Sequence, residues 1–285
     1  MTRRIALATW SGLPELFEDD RILLHELRRR GIEATAAVWD APGSDWGRFD
    51  AVVLRSTWDY HRRPTEFLEW AARCSRSTRL WNSLPTVRWN AHKSYLLELS
   101  RRGLPIVPTE VPRAGETLAD LRRRTGWSKL EVKPAVSANA DGSYLVGPDD
   151  LVAFEPRFQE ALRHADQLVQ PFIEGVLTSG ERSLVYLGGR FSHAFRKGPV
   201  FPVDLRKEIG NPSVPATAVE RSLAEQVIAT RREVPLYARV DLVEGADGRP
   251  ALMELELIEP LLGFSVAPQV APRFADELEA RLGSM

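Results

Sequence analysis

A single cysteine, Cys74, stands in 285 residues. One thiol excludes an internal disulfide and any cluster held by several thiolates. Its place in EFLEWAARCSR suggests a buried helix position rather than a nucleophile. Long apolar runs are also missing: no stretch approaches the roughly 20 apolar residues that span a bilayer. The opening MTRRIALATW runs straight into a strand-like segment without the apolar core of a leader peptide, so the cytoplasm is the expected location. Charge of one sign is lacking too. The formal net charge is -1, which points to neither nucleic acid nor an anionic membrane as partner. The arginine runs Arg28-Arg29-Arg30 and Arg122-Arg123-Arg124 fall in helix-like patterns and read as solvated faces. Neither GxxxxGK[ST] nor GxGxxG occurs, which sets aside the P-loop and the Rossmann dinucleotide fingerprint. No Ser-His-Asp or Cys-His set, internal repeat or low-complexity tail is visible. What remains is an ordinary globular composition, 44% hydrophobic and 27% charged, with ample length for a core or for two to three small domains.

The first part alternates strand and helix. RIALATW, ATAAVWD and FDAVVLRSTWDY read as strands, DDRILLHELRRRGI and RPTEFLEWAARCSR as helices, with Gly31 as a stop and Pro64 near a first turn. This order predicts a parallel sheet covered by helices, with ligands at the C-terminal strand ends. The loop RSTWDYHRRP lies at one such end. A break follows around Asn82 to Pro85, then a helix over NAHKSYLLELSRRGLP. KLEVKPAVSANADGSYLV reads as strand, small-residue loop, strand. Residues 148–165 look helical, QLVQPFIEGV is a strand entering a turn, and ERSLVYLGGRFSHAFRK is a hairpin turning at Gly188-Gly189. ERSLAEQVIATRRE is helical. The fold class is therefore α/β plus α+β: an N-terminal parallel lobe over 1–88, a central lobe over 89–173 and a C-terminal lobe over 174–285.

YARVDLV and ALMELELI are strand-like runs joined by the turn EGADGRP. Alternation puts Tyr237, Arg239 and Asp241 on one face of the first and Ala238, Val240 and Leu242 on the other. On the second, Met253, Leu255 and Leu257 oppose Glu254 and Glu256. Asp241, Glu254 and Glu256 then converge beside Arg239. Three carboxylates together repel unless a cation neutralises them, and an all-oxygen set suits Mg²⁺. A hairpin with its polar face in water is the alternative. Against it, the acids cluster without the interleaved lysines of a solvated face.

Lys133 ends an apolar β-rich run, where a lysine is costly to bury unless it meets an anion. The Ala, Ser, Asn and Gly loop after it lets backbone N–H groups approach a phosphate. An ordinary hairpin with a snorkelling lysine remains open. Lys93, His193, Lys197 and Arg206 each admit a plain solvated reading.

Taken in order, these pieces resemble the ATP-grasp superfamily over nearly the whole chain, in its glutathione-synthetase and ribosomal-protein glutamate ligase branch. The more specific likeness is to the group that includes the cyclo-ligase closing the D-cycloserine ring from O-ureido-D-serine. VVLRSTWDYHRRPTEFLEW, VRWNAHKSYLLELSRRGLPIVPT, FSHAFRKGP, and ARVDLV with LMELELIEP carry it. The resemblance implies that Lys93 and Lys133 hold the nucleotide phosphates under the loop from Ser137 and Ala138 to Ser143. It implies an adenine pocket at Gln170, Phe172 and Ile173, with Glu181 on the ribose. Asp241, Glu254 and Glu256 would bind Mg²⁺, with Mn²⁺ as an alternative, and relatives often have Asn where Glu256 stands. Arg239, Lys197 and Arg206 would be catalytic, although VDLRKEIGNPS departs from the expected ending around Arg206. The substrate would meet Arg55, Ser56, Thr57, Trp58, Asp59, Tyr60 and His193, with Arg55 holding a carboxylate. A core anchor with Arg55 solvated is the competing reading of that loop.

The implied activity is ATP-dependent ligation. A carboxylate takes the γ-phosphoryl group to give an acyl phosphate, and a nitrogen nucleophile displaces phosphate. The implied partners are ATP and a small carboxylate/amine substrate, with a monomer or homodimer as the assembly. A peptide- or protein-modifying ligase and an inactive nucleotide-binding protein are the rival readings.

Overall fold

The computed structural model describes residues 2–138, 140–198 and 212–283. Its first lobe contains β1 (Arg4–Thr9), α1 (Glu18–Arg29), β2 (Glu33–Val38), β3 (Ala51–Ser56), α2 (Pro64–Ser77) and β4 (Arg79–Trp81). The strands form one parallel sheet in the order β2-β1-β3-β4. Helix α1 begins with Glu18, Asp19 and Asp20 and ends with Arg28 and Arg29, charges that complement its dipole. Gly31 follows at φ 78°, a left-handed position that stops the helix. The central strands are apolar on both faces because both are covered. Ile5, Leu7 and Val53 enter one core, whereas Ala6, Ala8, Val52 and Leu54 pack with Trp39, Phe67, Trp70 and the buried Cys74 in another.

The next segment departs from the sequence reading. Instead of one helix over 90–105, there are two short ones, α3 (Leu84–Asn90) and α4 (Tyr95–Arg101). Pro85 sits in the first turn of α3, where its missing N–H costs nothing, so the apparent break is a helix start. Between them the chain leaves the helix, and Lys93 N–H bonds Ala135 C=O at 2.7 Å.

The central lobe adds α5 (Leu118–Thr125), β5 (Leu130–Pro134), β6 (Tyr144–Val146), α6 (Leu151–His164) and β7 (Gln167–Pro171). Its antiparallel sheet runs β6-β5-β7. Helix α5 contains the helix-like run Arg122-Arg123-Arg124, and a Thr117–Asp120 capping box and Gly126 at φ 75° frame it.

The last part contributes α7 (Gly175–Ser179), β8 (Glu181–Leu187), β9 (Arg190–Lys197), α8 (Ala218–Ala229), β10 (Tyr237–Glu244), β11 (Pro250–Glu256) and α9 (Val270–Gly283). The strands pair antiparallel in the order β11-β10-β8-β9. One face is apolar: Leu184, Tyr186, Ala238, Val240, Leu255 and Leu257 pack on Leu96 and Leu99 of α4 and on α8. The other face holds the charged residues.

Packing crosses the sequence divisions. Helix α4 lies on the third sheet, and α9 packs on α1 in a shared core. Strand β11 is an edge, yet its free side is closed. Asn90 donates to Leu255 C=O at 2.8 Å and accepts from Leu257 N–H at 2.7 Å. Asn82 donates to Leu257 C=O at 2.7 Å, and Tyr95 Oη accepts from Leu255 N–H at 3.0 Å. Each of these backbone groups would otherwise be buried without a partner.

Candidate active site

The three lobes enclose a cleft of about 1220 Å3, open mouth included. Strand alternation aims the charged side chains into it. On β5, Leu130 and Val132 enter the central core while Glu131 and Lys133 face the cleft. From the third sheet come Glu181, Lys197, Arg239, Glu254 and Glu256, and from the N-terminal lobe Trp58 and Tyr60. A register shift between Asp241 and Leu242 inserts one residue into β11. Met253 is thereby turned away from the core of Leu255, where simple alternation had placed it, and lines the cleft.

Ion pairs link these groups. Lys93 Nζ contacts Glu254 Oε1 at 2.9 Å and donates to Ser137 C=O. Lys197 Nζ lies 2.8 Å from both Glu181 Oε2 and Asp241 Oδ2. Arg239 binds Asp241 through Nε and Nη2, contacts Glu256, and donates to Leu261 C=O at 3.2 Å. Lys133 is buried, with Glu131 Oε1 at 3.6 Å.

Burial and charge set the protonation states in opposite directions. Burial opposes ionisation of Asp241, but Arg239 and Lys197 outweigh it and hold the carboxyl well below its usual range. Burial likewise opposes the charge on Lys197, yet Asp241 and Glu181 keep its ammonium above the ordinary lysine range. Burial works against Glu254 as well, and Lys93 with Lys133 reverses it to a lowered pKa. For Glu256, burial prevails over Arg239, with help from Glu254 and Asp241, and the carboxyl is pushed up to about 8. Glu259 is raised to about 7, chiefly by burial.

The small-residue loop closes one side. Ser137, Ala138, Ala140 and Ser143 line the cleft, and Asn139 lies outside the described residues. Gly142 takes φ 77°, and a Cβ there would stand 2.9 Å from the Pro134 ring. Asp141 ties the loop to the N-terminal lobe through His61 Nε2 at 3.0 Å. Phe172, Ile173 and Val176 form an apolar wall after β7, with Lys129 Nζ 4.1 Å from the Phe172 ring centre.

Of the residues singled out from sequence, Lys93, Lys133, Ser137, Ala138, Phe172, Ile173, Glu181, Lys197, Arg239, Glu254, Glu256, Trp58 and Tyr60 all reach this cleft. Several others do not. Arg55 is neither solvated nor facing a ligand: it is fully buried, pairs with Asp20 at 2.8 Å and donates to Pro260 C=O at 2.6 Å. Ser56 donates to Asp20 at 2.7 Å, Thr57 is buried, and Asp59 accepts from Trp39 and pairs with Arg63. His193 lies in the core beside Phe195, and burial lowers its pKa to about 4. Gln170 donates to Thr109 Oγ1 at 2.8 Å away from the cleft wall. Arg206 lies outside the described residues.

Asp241 is placed differently from the two glutamates. Its oxygens are taken by Ser183, Lys197 and Arg239, and it is fully buried behind them. Among the described residues no three His, Cys, Asp or Glu side chains gather as a metal site requires. Asp241 thus sits back from the opening, whereas Glu254 and Glu256 line the cleft. Sequence reading also missed Glu131, Asn90 and Glu259 on the cleft wall. Glu259 stands just beyond β11, where strand alternation no longer says which way a side chain faces.

Residues 5–82 match the family model described as the D-cycloserine synthetase DcsG N-terminal domain. The cycloserine biosynthesis protein DcsG of Streptomyces lavendulae is 34% identical over 279 residues, covering 91% of this chain and 92% of the relative. The crystal structure of D-cycloserine synthetase DcsG superposes with a TM-score of 0.89 at 32% identity, over 98% of this chain and 99% of that one. A RimK domain ATP-grasp protein from Sphaerobacter thermophilus shares the fold at 22% identity, with a TM-score of 0.70 over 97% and 99% of the two chains. Among the described residues, no helix is long and apolar enough to cross a membrane. With DcsG so similar over nearly its full length, and with the basic and acidic side chains of the cleft in place, this chain belongs to the DcsG family of ATP-grasp proteins and is an ATP-dependent ligase that forms C–N bonds.

Proposed function

We propose that the chain activates the carboxylate of a small amino-acid-like substrate as an acyl phosphate and closes it intramolecularly onto a nitrogen, as expected for a relative of a D-cycloserine synthetase. One observation carries this reading: Lys93, Lys133, Lys197 and Arg239 converge with Glu254 and Glu256 on one cleft whose far wall is apolar. A carboxylate is inert to amines at neutral pH, so phosphoryl transfer must supply the leaving group. Such transfer is catalysed mainly by positioning and charge neutralisation, which these cations provide. In this reading Lys93 and Lys133 bind phosphate oxygens beneath loop 137–143, and the adenine lies on Phe172 and Ile173. In the same reading Glu181 takes the ribose hydroxyls. Arg239 and Lys197 steady charge on the carbonyl under attack, and Trp58 and Tyr60 border the substrate.

Glu254 and Glu256 fit Mg²⁺ by their chemistry. Both are oxygen donors, and a cation would offset the burial, and the added repulsion from Glu254 and Asp241, that raise the pKa of Glu256. Mg²⁺ is commonly held by one or two carboxylates together with substrate phosphates, where it neutralises charge. Asp241 is assigned instead to fixing Arg239 and Lys197.

The test is release of ADP across a panel of amino acids that includes O-ureido-D-serine, followed by product mass. A product formed from a single substrate molecule supports cyclisation, lighter by one water or, for O-ureido-D-serine, by one water and the carbamoyl unit HNCO, and a condensed product of two substrates replaces it with an intermolecular ligase. No ADP release on any candidate would sink the small-substrate reading.

A further inference from the structure

Among the described residues, one acid of the cleft, Glu259, has no direct ion-pair partner. Glu259 is 8% exposed and lines the cavity. Among the described residues its carboxylate has no ion-pair partner within 4.0 Å and no side-chain donor, and it meets only its own backbone N–H. The cation acting on it most strongly, Lys93, is already engaged by Glu254. A carboxylate buried in this way is expensive unless a cation reaches it.

Its surroundings are arranged rather than incidental. Leu257 to Ser265 is pinned at several backbone groups, mostly by side chains of the N-terminal lobe. Asn82 holds Leu257 C=O, Tyr237 Oη holds Ile258 C=O at 2.8 Å, and Trp58 Nε1 donates to Glu259 C=O at 3.1 Å. Arg55 holds Pro260 C=O, and Asp19 accepts from Phe264 and Ser265 N–H. A segment fixed at so many points presents Glu259 in one position on the wall that Trp58 and Tyr60 also line, where its charge acts on the Tyr60 hydroxyl. A carboxylate on a wall that also carries aromatic side chains suits a primary ammonium, which gains an ion pair there and, where it meets a ring face, a cation–π contact as well.

We propose that Glu259, with Trp58 and Tyr60, is the specificity site for a substrate ammonium group that does not react. It would thereby select small amino acids over the corresponding carboxylic acids. This rests on the small-substrate reading above and adds the group that the cleft recognises.

Isothermal titration with AMPPNP present tests it without turnover. The probes are O-ureido-D-serine, D-serine and L-serine, and the matched acids in which hydrogen replaces the amino group. The wild-type protein should bind at least one amino acid about 10- to 100-fold more tightly than its matched acid, the scale of a charged hydrogen bond. Glu259→Gln should abolish that preference and leave the matched acid unaffected. Equal binding of every amino acid and its matched acid by the wild-type protein would overturn the proposal, whatever the variant does. So would a preference that survives in Glu259→Gln. Absence of ADP release would instead fault the ligation reading alone.

Discussion

Lys197 and Asp241 are joined by a 2.8 Å ion pair whose carboxylate is fully buried while its ammonium reaches the cleft. The acid therefore works from behind, holding Lys197 and Arg239 in position. Asp241→Asn should leave Lys197 with Glu181 alone and Arg239 with Glu256 alone, and destabilise the fold by about 1–3 kcal/mol. Urea unfolding measures this, and a loss below about 1 kcal/mol would return Asp241 to the role of an accessible ligand.

Glu254→Gln should behave in the opposite way. Its side chain opens to the cleft and contacts Lys93. The fold should stay within about 1 kcal/mol of the parent while ADP release falls at least about 100-fold, the scale of losing one charge-organising group. Mg²⁺ titration of the residual rate should show a weakened metal dependence, and an unchanged dependence would refute the assignment.

Arg55→Ala separates a structural arginine from a substrate-binding one. Its guanidinium bonds Asp20 and Pro260 C=O with no exposure to the cleft. Removal strands a buried Asp20 and should cost about 3–5 kcal/mol. A stable variant with only a raised KM would restore the substrate reading.

The pH dependence of stability should carry a His193 signature. Burial lowers its folded pKa to about 4 from an ordinary 6.5. Between those values the unfolded chain takes up the proton and the folded one does not, so stability is lost as pH falls from 6.5 towards 4. The full effect is about 3 kcal/mol. His193→Gln should flatten that part of the curve in thermal unfolding at pH 4, 5, 6 and 7, and an unchanged slope would show that other groups cause it.

Much of the site was legible because alternation along β10 and β11 separates Arg239, Asp241, Glu254 and Glu256 from the apolar set. Alternation gives the face but not the counter-charge. Nothing local indicates that Asp20, 35 residues earlier, neutralises Arg55, or that Lys197 and Ser183 enclose Asp241. The Met253 placement failed because a bulge resets the period. The helix-like run at Arg122 to Arg124 falls in α5, which a capping box opens, whereas Glu259 lies outside any periodic element.

The asparagine at the end of α3 has a consequence beyond satisfying an edge. Asn90 both donates to Leu255 and accepts from Leu257, so it fits β11 in one alignment only. A slip by one residue would break both bonds and turn Glu254 and Glu256 into the apolar core. A neutral amide on a short helix thus acts as a registration pin, keeping the two glutamates on the reacting side of the sheet.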